Sequence, residues 1–64
     1  MAKMTLKAAR VNADLTQGEA AKKLGVAPTT IRNWEKGVTS PKAPQAYVLC
    51  KIYGVTYDDI FFEN

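Results

Sequence analysis

Apolar residues recur along this chain at helical spacing, in short blocks divided by turn signals, and nowhere alternate for long enough to specify a strand. A first helix reads over residues 4–13, with Leu6, Ala9 and Ala13 on one face and Lys7, Arg10 and Asn12 around the rest. Asp14 and Leu15 interrupt it. Thr16 opens a second helix. Thr16-Gln17-Gly18-Glu19 has the spacing of a capping box, in which a threonine oxygen and a glutamate carboxylate each accept from an otherwise unpaired amide. Ala20, Ala21 and Leu24 form its inward face, and Gly25 stands where a left-handed helix ending favours glycine. Gly18 is a weak point, costing about 1 kcal/mol against alanine inside a helix.

Pro28 suits the first position of a third helix, because the N–H it lacks has no partner there. The cap is then Ala27, a poor one. At about 100° per residue Ala27, Ile31 and Trp34 fall in a narrow arc that faces the core. Gly37 ends this helix, and residues 39–43 form a loop. Pro44 opens a fourth helix that runs to about Tyr53, with Tyr47, Leu49, Cys50 and Tyr53 turned inward and Gly54 closing it. Thr56-Tyr57-Asp58-Asp59 reads as a cap with an acidic first turn, which suits a helix dipole and starts a short fifth helix over 57–62. The pattern therefore predicts an all-α, compact five-helix domain: one unit over 1–64, with a helix-turn-helix at about 16–37.

Composition narrows the function. Sixty-four residues, 47% of them hydrophobic, support one domain with one small core, and leave no room for a second sensing or peptidase domain. The net charge of +3 favours an anionic partner without proving one. The single cysteine, Cys50, excludes an intrachain disulfide, and with no histidine a zinc site is not expected. No nucleophile–base set and no phosphate-cradling glycine loop is present, so no enzymatic activity and no cofactor are expected. The N-terminus has no long apolar run, so neither a signal peptide nor a membrane span is read, and the expected location is the cytoplasm.

The third helix carries the most suggestive chemistry. Thr29, Arg32, Asn33 and Lys36, with Pro28 at the flank, lie opposite the core arc, and this face holds two positive charges and no carboxylate. It reads either as a solvated helix surface or as a base-reading one. Arginine can bond guanine in bidentate fashion, asparagine can do so with adenine, and a threonine methyl can touch thymine, whereas Lys36 suits a phosphate. The second helix begins beside it with free amides near Thr16 and Gln17, a seat for a phosphate. Ala21 is small enough to let the two helices approach closely, with Val26 tucked inward at the turn. Lys22 and Lys23 read as a solvated face from which one residue can touch a DNA backbone. Trp34 reads as core and not as a stacking residue, Cys50 as a small buried hydrophobe, and the adjacent Asp58 and Asp59 as a helix start, because they point apart.

The stretches LKAARVNADLTQGEAAKKLGV, TTIRNWEKG and SPKAPQAYVLCKIYGVTYDDIF together resemble the phage repressor/Cro-like, XRE-type helix-turn-helix family over about residues 4–62. That resemblance implies a five-helix DNA-binding transcription regulator, usually a repressor. It places Pro28, Thr29, Arg32 and Asn33 at base edges, and Thr16, Gln17, Lys36 and the loop residues Thr39, Ser40 and Lys42 at phosphates. It also implies that Arg10 and Glu35 pair beneath the reading helix; read without it, they are two separate surface charges. Ala27 departs from the family's usual serine or threonine cap, Pro28 from a polar base-reading side chain, and Gly18 from a common charged residue. The expected partner is double-stranded DNA carrying a palindromic operator. Tyr57, Ile60, Phe61 and Phe62 exceed what so short a fifth helix can bury; they either cap the core or leave a homodimer surface, for which Tyr57, Phe61 and Phe62 are the candidates, and a twofold dimer sets two reading helices about 34 Å apart. Neither a small-molecule ligand nor a membrane is expected as a partner. A second class of function is an antitoxin-type interaction module of the same fold. Such proteins usually add a toxin-wrapping extension, and this chain ends two residues after Phe62.

Overall fold

The computed structural model describes residues 3–61. Four α-helices follow in order: α1 (Leu6–Asn12), α2 (Gln17–Leu24), α3 (Pro28–Lys36) and α4 (Ala43–Tyr53), with a single 3₁₀ turn, Tyr57–Asp59, after them. The five-helix expectation is thus corrected to four helices and one turn.

The reason lies at the opposite end of the chain. The Met4 N–H donates to the Asp59 carbonyl at 2.9 Å, and the Phe61 N–H donates to the Met4 carbonyl at 2.8 Å. Met4 and Ile60 therefore form an isolated parallel bridge, and Ile60 is extended (φ −104°, ψ 134°). An amide committed to Met4 cannot also close the next helical turn, so the acidic segment stops after Asp59. The same bridge draws Met4 out of the first helix, whose cap is Thr5: its hydroxyl oxygen accepts from the Ala8 N–H at 3.1 Å.

Local sequence sets the remaining boundaries. Thr16 and Glu19 form the capping box of α2, with the Thr16 N–H donating to Glu19 Oε1 at 2.8 Å and the Glu19 N–H to Thr16 Oγ1 at 3.1 Å. The Thr16 N–H and then the Thr16 hydroxyl, both bonded to the Glu19 carboxylate, hold it below its usual range. Gly25 ends α2 and Gly37 ends α3 in the left-handed region, at φ +84° and +77°, where a Cβ is strained. Asp14 takes the same region (φ +60°) after α1, a conformation aspartate tolerates better than most residues. Pro28 opens α3 behind an Ala27 cap that makes no side-chain bond. α4 starts at Ala43, one residue ahead of Pro44, with the Lys42 N–H donating to Gln45 Oε1 at 3.2 Å.

The core forms where the four helices meet: Leu6 and Ala9 from α1, Ala20 and Ala21 from α2, Ile31 and Trp34 from α3, and Leu49, Cys50 and Tyr53 from α4, closed by Ile60. Ile31 and Leu49 are almost wholly inaccessible, and burying a side chain of that size contributes roughly 1.5–3 kcal/mol. Ala20 and Ala21 have no bulk to hold α2 away from α3 and α4. Two inward expectations are corrected. Ala27 is exposed, as a cap outside the helix proper. Tyr47 is 55% exposed and Ala46 is buried in its place, because positions 46, 49, 50 and 53 define the inward arc of α4 and 47 lies about 100° away from 46.

Candidate nucleic-acid interface

Ile31 and Trp34 fix the rotation of α3 by burying one side of it. The other side then presents Pro28, Thr29, Arg32 and Lys36 to solvent, with Asn33 half-buried at the edge. α2 packs against α3, and their junction is short because Gly25 reverses the chain at once. The capping box occupies the Thr16 and Glu19 amides and leaves those of Gln17 and Gly18 without partners among the described residues. The Thr16 hydroxyl oxygen accepts from the Glu19 N–H, and the hydroxyl in turn bonds the Glu19 carboxylate. After α3, Thr39, Ser40 and Lys42 lie exposed in the loop to α4, and the Val38 and Thr39 amides fold back on the Asn33 carbonyl at 3.0 and 3.5 Å.

One carboxylate ties this surface together from below. Arg10 Nε donates to Glu35 Oε2 at 2.7 Å and Arg10 Nη2 donates to Glu35 Oε1 at 3.3 Å. The Gln17 side-chain amide donates to the same Oε1 at 3.0 Å, and Arg10 Nη1 donates to the Leu15 carbonyl at 2.8 Å. α1, the α1–α2 turn, α2 and α3 therefore converge on the Arg10–Glu35 pair. The Arg10 and Glu35 side chains are only 11% and 5% exposed, so the pair is shielded from solvent and salt. The bond to Glu35 raises the Arg10 pKa further above its ordinary value, against the opposing effect of burial. Both charges are hydrogen-bonded, which is the condition for an ion pair to sit inside a protein without large cost.

Elsewhere the structure offers little chemistry. Cys50 is buried and its thiol is pushed up by desolvation, so it is a packing group and a poor nucleophile. Among the described residues no cluster of metal-ligating side chains occurs, and no helix is long and apolar enough to cross a membrane. Tyr57 stacks on Tyr47 with ring centroids 4.6 Å apart, and Phe61 is 53% exposed; both aromatic features lie on the outer surface. Phe62 lies outside the described residues. The Gln17–Glu35 bond and the Tyr47–Tyr57 stack carry no short-range signal in the sequence. Each joins residues whose approach is set only by how the elements pack.

A family model described as helix-turn-helix matches residues 6–60. An uncharacterized HTH-type transcriptional regulator of Methanocaldococcus jannaschii is 44% identical, over 92% of this chain and 89% of its own length. A cryptic phage CTXphi transcriptional repressor, RstR, of Vibrio cholerae is 40% identical over 86% of this chain, which spans half of that relative's length. An uncharacterized HTH-type transcriptional regulator of Archaeoglobus fulgidus is 36% identical over 88% of this chain and 79% of its own. No solved structure gives a significant match.

Proposed function

The chain belongs to the helix-turn-helix family, and on that premise we propose that it is a sequence-specific, double-stranded-DNA-binding transcription regulator of the phage-repressor type. The observation that carries this reading is the outward face of α3: threonine, arginine, lysine and asparagine side chains with no carboxylate, held against α2 by the Glu35 cluster. In this reading α3 lies in the major groove, where Arg32 and Asn33 offer hydrogen bonds to base edges and Pro28 and Thr29 offer apolar contact to thymine methyls. Thr16, Gln17, Lys36, Thr39, Ser40 and Lys42 meet phosphates on either side and set the register. One copy makes few base contacts, so specificity calls for two. Tyr57 and Phe61 supply apolar surface for a homodimer on a palindromic operator. Occupying that operator blocks transcription.

Selection of bound duplexes from a random library, with the affinity of the winner followed against salt, tests the proposal. The expected result is a palindromic winner whose binding weakens steeply with salt, with a log–log slope of about −0.9 for each phosphate neutralised. A shallow slope with no sequence preference sinks it.

A further inference from the structure

Gln17 occupies two environments at once. Its backbone opens α2 at the rim of the proposed DNA surface, and its side-chain amide reaches inward to Glu35 Oε1 at 3.0 Å. A primary amide has two hydrogens and Glu35 takes one; the other has no partner among the described residues. We propose that Glu35 and Arg10 are positioning residues for DNA binding: they touch no DNA, but they fix the Gln17 amide so that its second hydrogen is aimed at a backbone phosphate before DNA arrives. The inference rests on the DNA-binding reading above and adds to it the mechanism that presets one contact.

Three observations support this. A glutamine at an exposed helix start samples many rotamers, and holding it to a buried carboxylate removes that freedom in the unbound state, so less is lost on binding. Glu35 alone would be an awkward anchor, since a carboxylate beneath a phosphate-binding surface repels the ligand. Arg10 resolves this by bonding both carboxylate oxygens, at 2.7 and 3.3 Å, which leaves the pair electrically neutral. Finally, Glu35 lies in the last turn of α3, so the group that sets Gln17 moves as one body with the helix that carries Arg32 and Asn33. A phosphate on Gln17 thereby reports directly on where α3 lies in the groove.

The test uses the selected duplex, with each phosphate in turn replaced by a neutral methylphosphonate. It is bound by the wild-type protein, by Gln17→Met, and by Arg10→Met/Glu35→Met. The double variant swaps a buried ion pair for apolar side chains of similar length, a change that usually preserves folding. In the wild type, one linkage per half-site is expected to cost about tenfold in affinity, the size of a charge-assisted hydrogen bond. That linkage is expected to cost Gln17→Met nothing and the folded double variant about threefold or less. A double variant that still loses the full tenfold overturns the positioning role, as does the absence of any linkage specific to Gln17. Relaxation of the Gln17 side-chain amide in the free protein gives a check that needs no variant: an order parameter near that of rigid backbone, about 0.85, is expected, and one below about 0.6 overturns the proposal. If the protein selects no duplex at all, the DNA-binding reading itself falls.

Discussion

The Tyr53 hydroxyl is buried within electrostatic reach of Arg10 and Glu35 and has no hydrogen-bond partner among the described residues. Burial pushes its pKa up from 10.0 to about 12, with Glu35 acting in the same direction and Arg10 against it. The consequence for stability follows from proton binding. Above pH 10 the unfolded chain releases this proton while the folded chain keeps it, so folding is progressively disfavoured. The Tyr53 contribution is complete below about pH 10 and is lost between there and about pH 12, at about 1.4 kcal/mol per pH unit. Urea unfolding of the wild type and Tyr53→Phe at pH 9 and pH 11 measures it. The variant, which keeps the ring packing, should lose less stability than the wild type between those values, and parallel losses would refute the assignment. Nothing in the sequence around Tyr53 announces this environment. Its inward position is legible from helical periodicity, but its neighbourhood depends on α1 and α3 arriving from elsewhere.

At the scale of elements, α2 and α3 are legible because local residues write their ends: a threonine–glutamate box, two glycines and a proline at a first helical position. The fifth helix is misread for the opposite reason. Thr56 and the two aspartates do begin a turn, and Asp59 accepts from the Thr56 N–H at 3.0 Å, but Met4 then captures the backbone. A capping signal shows where a helix can start and says nothing about a strand partner at the far end of the chain. Gly18 gives an element-scale prediction. A Cβ built there meets only Thr16 Oγ1, at an ordinary 3.9 Å, so the fold does not require glycine at this helical position. Gly18→Ala should stabilise the protein by about 0.5–1 kcal/mol, through helix propensity and a less free unfolded chain. Thermal unfolding decides it; an unchanged or lowered midpoint would mean that α2 gains nothing from the added methyl group.

For the whole molecule, the division of labour is spatial. The proposed DNA surface is built from α3, the start of α2 and the loop after α3, and none of its residues belongs to the Tyr47–Tyr57 stack. The outward face of α3 is readable from the sequence because Ile31 and Trp34 fix its rotation, whereas the stack is not, since Tyr47 by its neighbours alone reads as core. Net charge of +3 favours an anionic partner but cannot select a site on it, so the proposed function assigns specificity to α3. The most direct measurement repeats the duplex selection with Asn33→Ala beside the wild type. The account predicts that one base position in each half-site loses its preference, that the other positions keep theirs, and that affinity for the wild-type winner falls by about 1–3 kcal/mol. An unchanged preference at every position, or an equal loss of binding to all sequences, would contradict the claim that this helix reads bases.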